Sequence, residues 1–218
     1  MKPRLSNQRN QALTLTEVLI VVVALAIFVV LLLSGLAAAK RKSARIDCIS
    51  NLKQIGLVYR EWAGDNSDKF PMQVSATNGG AMELVTAGNV AAVFQVMSNE
   101  LSTPKILVCP DDANQAPATN FTTDFNNNHI SYFVNINVTN EINPQWLLSG
   151  DDNFEIGGVP VKSGLLEISS NAPISWSATR HHFAGNVLMA DGSVQQFTTK
   201  GLQNALQQTG VTNRLAIP

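Results

Sequence analysis

Residues 18–33 read VLIVVVALAIFVVLLL, an unbroken apolar run, and no other feature constrains the chain as strongly. Extending the run to 13–39 adds only Thr14, Thr16, Glu17 and Ser34 as polar interruptions. As an α-helix this stretch is about 40 Å long, more than the roughly 30 Å hydrocarbon core of a bilayer requires. It is apolar on every face, so no single packing surface in a small domain could cover it. The expectation is one membrane-spanning helix over 13–39. The rest of the chain can still build a core: of 218 residues, 45% are hydrophobic and only 14% charged, outside the range of disordered segments. A formal net charge of −1 offers no basic surface, so no nucleic-acid partner is expected.

Three explanations compete for the apolar run. A cleavable secretory signal would use Ala37-Ala38-Ala39 as its small-residue cleavage site. The run is too long for that, and Lys40-Arg41-Lys42 would then begin the mature chain. A plain uncleaved anchor is the second. Neither accounts for Glu17, the one charge in the run. An ionisable group at the margin of a spanning helix is costly and normally has a partner. Basic residues flank both ends: Lys2, Arg4 and Arg9 on one side, Lys40, Arg41, Lys42 and Arg45 on the other. By charge alone this weakly favours a cytosolic body.

The string Gln11-Ala12-Leu13-Thr14-Leu15-Thr16-Glu17 supplies the third explanation. It resembles the prepilin processing motif of type IV pilins and type II secretion pseudopilins: a short basic leader, a small residue, a hydrophobic first mature residue, and glutamate at mature position five. The family usually has glycine at the position of Ala12 and phenylalanine at that of Leu13. The resemblance implies cutting between Ala12 and Leu13 by a prepilin peptidase, methylation of the new Leu13 amine, and export of the body to the periplasm. It also implies that Glu17 neutralises the N-terminal amine of a neighbouring subunit in a filament. Such pairing is how buried charges persist in lipid. The alternative is that Glu17 snorkels to the cytosolic interface.

Past the membrane, Cys48, Leu52, Ile55, Tyr59 and Trp62 recur at helical spacing, with polar residues between them. No proline interrupts 13–63, which predicts one long helix with Gly35 and Gly56 as soft points. The turn formers of 64–71 end it. A short helix is expected over 90–100 and a last one over 200–208. Strands are expected over 106–109, 130–138, 146–148, 159–161, 165–168, 186–190 and 193–197. Residues 114–128 form an Asn/Thr-rich surface loop, and Asp191-Gly192 suits a type I′ hairpin turn. The fold class is α+β, a pilin-like long helix extending into a small antiparallel sheet domain. Its parts are a leader (1–12), a transmembrane helix (13–39), an extramembrane continuation (40–63) and a globular head (64–218). Three further strings resemble pseudopilin-like proteins: Cys48-Ile49-Ser50-Asn51-Leu52-Lys53-Gln54-Ile55-Gly56, Cys109-Pro110-Asp111-Asp112, and His181 with Asp191-Gly192 as an H-x9-D-G signature. That signature often continues with histidine, where this chain has Ser193.

No catalytic motif is present, and no enzyme activity is expected. Two cysteines in an exported chain are compatible with one Cys48–Cys109 disulfide, or with two small buried hydrophobes. His181 and His182 are adjacent; on an extended segment they would point opposite ways, so no metal site is assigned to them. His181 is expected to bond across the hairpin base toward Asp191. The pairs Asp65/Asp68, Asp111/Asp112 and Asp151/Asp152 leave calcium open as the one cofactor, against solvated turn acids.

The resemblance therefore implies a structural subunit of a type II secretion pseudopilus. It would sit in the bacterial inner membrane as a single-pass protein with its C-terminal domain in the periplasm. Its partners would be prepilin peptidase, other pilin-like subunits and the inner-membrane assembly platform. Alternatives are a surface type IV pilus subunit and a membrane-tethered binding module or enzyme. Mass spectrometry of protein from its native envelope should find a methylated Leu13 as first residue. A chain still beginning at Met1, or beginning at Lys40, would overturn the processing expectation.

Overall fold

The computed structural model describes residues 14–218, so the leader, Ala12 and Leu13 lie outside the described residues. The chain divides into two units, with the boundary between Lys42 and Ser43.

The first unit carries the N-terminal part of helix α1 (Leu15–Asp65). Thr14 and Glu17 begin it as a reciprocal cap. The Glu17 carboxylate accepts from the Thr14 backbone N–H at 2.8 Å and from its hydroxyl at 2.8 Å, while Glu17 N–H donates to Thr14 Oγ1 at 3.3 Å. This is the T-x-x-E capping box, which satisfies donors that the first helical turn leaves free. The large apolar side chains that follow, Val18 to Leu36, stand exposed. The helix is long and apolar enough to cross a membrane.

The second unit is built on the C-terminal part of α1. Cys48, Leu52, Ile55, Tyr59 and Trp62 are all buried, as their spacing predicts, while Leu57 on the opposite face is 64% exposed. Gly56 is not a soft point. It is buried within an uninterrupted helix, and a Cβ there would meet Leu188 Cδ1 at 2.8 Å, so it lets the helix approach the sheet closely. Three short helices, α2 (Met82–Thr86), α3 (Val90–Val96) and α4 (Ser98–Leu101), add Val85, Val90, Phe94, Met97 and Leu101 to the same core. The helix expected over 90–100 is thus broken at Met97.

Nine strands follow: β1 (Tyr132–Asn135), β2 (Leu147–Asp151), β3 (Phe154–Ile156), β4 (Val159–Pro160), β5 (Gly164–Ile168), β6 (Ile174–Trp176), β7 (Ala184–Met189), β8 (Val194–Thr198) and β9 (Asn213–Ile217). A six-stranded antiparallel sheet has the order β5-β9-β1-β2-β7-β8, and a three-stranded one the order β4-β3-β6. Side chains alternate between two cores, as the pleat requires. Tyr132, Val134, Leu188 and Ala216 join the α1 core. Phe133, Val187, Met189, Leu215 and Ile217 face a second core with Phe154, Trp176 and helix α5 (Thr199–Thr209). Phe154 stacks on Trp176 at 4.8 Å. Thr198 caps α5 by accepting from Gly201 N–H, and left-handed Gly210 ends it.

Several expectations are corrected. The segment expected as a strand over 106–109 begins in a 3-10 helix, Pro104–Leu107, because Pro104 fixes φ for a tight turn and removes a ladder donor. The strand expected over 130–138 shrinks to β1, while β3, β6, β9 and α2 were not anticipated. The Asp191-Gly192 turn is not type I′: only Gly192 has positive φ, at 78°. Gly192 N–H donates to Met189 O and Met189 N–H to Ser193 O. That is a three-residue loop closed by a left-handed glycine.

Truncating Ile55 to Ala should cost about 2–5 kcal/mol of head stability in urea unfolding. The exposed neighbour Leu57→Ala should stay within about 0.5 kcal/mol. Equal effects would contradict the assigned helix face.

Candidate functional site

Buried polar groups concentrate where α1, the segment after Leu107, the end of β2 and the turn before β7 meet. Each side chain arrives for a local reason. Cys48 lies on the buried stripe of α1 and is fully buried. Cys109 follows the 3-10 helix and is held by a turn in which Asp112 N–H donates to Cys109 O at 2.9 Å. Asp151 closes β2 opposite Tyr132, with no solvent exposure. His181 comes from a turn in which His181, His182 and Phe183 all have left-handed φ, at 52°, 51° and 57°. Such conformations cost non-glycine residues about 1–3 kcal/mol each and persist only when surroundings enforce them. Here both backbone groups of His181 are held: its N–H donates to Asp111 Oδ2 at 2.8 Å, and its carbonyl accepts from Arg45.

Four donor atoms converge at this point. Cys48 Sγ, Cys109 Sγ, an Asp151 carboxylate oxygen and a His181 ring nitrogen all lie within 4.8 Å of one another. Cys109 Sγ is 3.2 Å from His181 Nε2, Cys48 Sγ is 3.3 Å from Asp151 Oδ1, and His181 Nε2 is 3.4 Å from Asp151 Oδ2. Around them, Asn186 donates to Asp151 Oδ2 through its backbone at 2.7 Å and its side chain at 3.1 Å. Tyr132 Oη lies 3.4 Å from Cys48 Sγ. His181 Nδ1 is 3.2 Å from Asp111 Oδ2, a close charge contact that is not aligned as a hydrogen bond.

The electrostatics follow from the burial. Desolvation, reinforced by the contact with Cys109 and the charge of Asp151, pushes the Cys48 thiol far up. The contact from Cys48, with help from His181, lowers that of Cys109 against its own desolvation. Desolvation opposes charge on His181, but its contact with Cys109 and the charges of Asp151, Cys109 and Asp111 outweigh it and raise its pKa. Desolvation pushes Tyr132 up as well.

Beside this cluster, Arg180 is buried and forms ion pairs with Asp112, at 3.2 Å, and with Asp152, while also donating to Ser131 O at 3.0 Å. The side chains of Asp112 and Asp152 are only 6% and 13% exposed. Two acidic pairs expected as solvated turns or calcium ligands are therefore bound to Arg180 and His181. The sequence carries these as two Asp-Asp pairs and one Arg-His pair, but nothing local to them distinguishes buried partners from solvated turn acids such as Asp65 and Asp68. Asp65 and Asp68 remain exposed.

The other expected positions separate. In this structure both cysteines are free thiols, and the two residues are brought together. His181 does not reach toward Asp191: the Asp191 carboxylate accepts from Ser193 N–H at 2.8 Å, and its carbonyl from Arg60. His182 is exposed while His181 is buried, so the two point apart as expected, but from a left-handed turn rather than an extended segment. Tyr132 has no role expected from the sequence, and Asp151 is expected there only as a solvated turn acid or a calcium ligand. No family model, characterised protein or solved structure matches the chain.

Arg180→Met should destabilise the head by about 3–5 kcal/mol, because it strands two desolvated carboxylates. Arg60→Met, which breaks the exposed pair with Glu141, should change stability by less than about 1 kcal/mol. Urea unfolding measures both, and comparable losses would refute the buried-charge assignment.

Proposed function

We propose that the chain is a pilin-like filament subunit, most specifically of a type II secretion pseudopilus. In this proposal a prepilin peptidase releases it at Leu13, and it assembles through its apolar helix at the bacterial inner membrane with its head in the periplasm. The observation that carries the reading is the division of labour along α1, a 51-residue helix. Its N-terminal part exposes large apolar side chains on all faces, while residues from Cys48 onward form one wall of a separate folded core. An all-round apolar helix must be covered by lipid before assembly, and helices of neighbouring subunits can replace that lipid within a filament. The head supplies its own core and does not need the apolar segment to fold around. The processing motif favours an exported body over the weak opposite preference of the flanking lysines and arginines.

Glu17 then has two uses. In the single chain it completes the capping box with Thr14. In the filament it would meet the Leu13 amine of a neighbour, and pairing would make charge tolerable at that depth. The cap by itself favours a second reading, a plain membrane-tethered module, because it gives Glu17 a local role that needs no partner.

Glu17→Gln separates the two, since glutamine preserves a capping box while removing the charge. Filament incorporation should fall at least about tenfold, a loss of ~1.4 kcal/mol per contact or more, with membrane insertion unchanged. Normal incorporation of the Gln variant in sheared filament fractions would refute the charge pairing of Glu17, whereas absence of the unmutated chain from those fractions would leave only the tethered-module reading.

A further inference from the structure

We infer that Cys48, Cys109, Asp151 and His181 form a closed structural site for one divalent transition-metal ion of zinc's class. The inference is independent of the filament proposal, since all four residues belong to the head.

The first support is the spacing of the donors. Around a tetrahedral ion with metal–sulfur bonds of about 2.3 Å and metal–nitrogen or –oxygen bonds of about 2.0 Å, neighbouring ligand atoms stand roughly 3.3–3.8 Å apart. Cys109 Sγ with His181 Nε2 at 3.2 Å and Cys48 Sγ with Asp151 Oδ1 at 3.3 Å stand close to two edges of such a tetrahedron, and one donor atom from each of the four residues lies within 4.8 Å of the others. Small side-chain shifts would complete it.

A second support is the outer shell. Ligating histidines usually donate their other ring N–H to a carboxylate; His181 Nδ1 stands 3.2 Å from Asp111 Oδ2, a separation from which a small ring rotation would form that bond, while Nε2 faces the cluster. Asp111 also fixes the His181 backbone N–H. Asn186 holds Asp151 Oδ2 twice, which leaves Oδ1 turned toward Cys48 and the centre. The left-handed turn at 181–183 is the conformation that delivers this imidazole.

Donor chemistry selects the ion. Two thiolates and an imidazole suit zinc or a similar borderline-soft ion and not calcium, which takes six to eight oxygens. Four buried protein ligands leave no position open for water or substrate, so the site is structural rather than catalytic. Binding would release the Cys48 and Cys109 thiol protons. The ion would tie the α1 spine to β2 and to the segments before β1 and β7.

The test uses the full chain, purified in detergent without chelator. Elemental analysis should find close to one zinc per chain. Exchange with Co²⁺ should give thiolate-to-cobalt charge-transfer absorption with tetrahedral d–d bands. Bound Zn²⁺ should protect both thiols from alkylation, and stripping it with a chelator should expose them and lower the melting midpoint by about 10 °C. Asp151→Asn should abolish stoichiometric binding. Asp111→Asn leaves every ligand in place, and should weaken Zn²⁺ affinity by about 10- to 100-fold. Cys48→Ser could fail to fold, so thiol protection in the unmutated chain is the deciding measurement. A chain lacking metal whose thiols stay equally reactive after added Zn²⁺ would overturn the inference. So would an intact mass lower by two hydrogens, the signature of a Cys48–Cys109 disulfide.

Discussion

The head depends on covering one stripe of α1. Leu52, Ile55, Tyr59 and Trp62 leave water only if something flat and apolar lies against them. The six-stranded sheet does so through Tyr132, Val134, Leu188 and Ala216, and the same strands then present Phe133, Val187, Met189 and Leu215 on the other side. That second face also needs a cover, which α5 and the small sheet carrying Phe154 and Trp176 provide. Each layer therefore exists because the previous one exposes apolar surface.

Within this apolar frame the molecule buries an unusual amount of charge. Asp112, Asp151, Asp152, Arg180 and His181 are all largely withdrawn from water, at a desolvation cost that hydrophobic replacements would avoid. Such a cluster adds directional constraints rather than net stability. Arg180 ties the Cys109–Asp112 turn to the end of β2, and His181 ties both to the turn before β7. A metal ion would add a strong attractive centre to these contacts, offsetting part of the desolvation and the strain of three left-handed residues. The burial of Asp151 and His181 and the strained turn thus have a common explanation in the inferred site, while Arg180, Asp112 and Asp152 neutralise one another.

Composition changes abruptly along α1. Its N-terminal part has only Glu17 as a charged residue before Lys40, whereas its later part alternates buried apolar with exposed polar positions. One helix is therefore suited along its length to two different solvents. In the proposed filament, the first part would exchange lipid for neighbouring subunits while the head keeps its own core. Nothing in the head's packing would have to change on assembly.

Sequence alone determined the long helix, its buried stripe and the membrane-spanning length, because 3.6-residue periodicity and an unbroken apolar run are local signals. It also determined the β7–β8 hairpin, through Asp191-Gly192, and α5, which begins beside Thr198 and ends at Gly210. It missed β3 and β6, three residues each, and β9, which gain their identity from partners far along the chain; β9 is placed by β1 and β5. Sequence placed a small antiparallel sheet on the helix, and the structure covers that sheet's other face as well, with α5 and the three-stranded sheet. The cluster of Cys48, Cys109, Asp151 and His181 was decided only by tertiary structure. Those residues come from a helix, a turn, a strand end and a left-handed loop, and no local pattern encodes that they share a centre. Only the closure of the sheet over α1 brings their donor atoms within 4.8 Å.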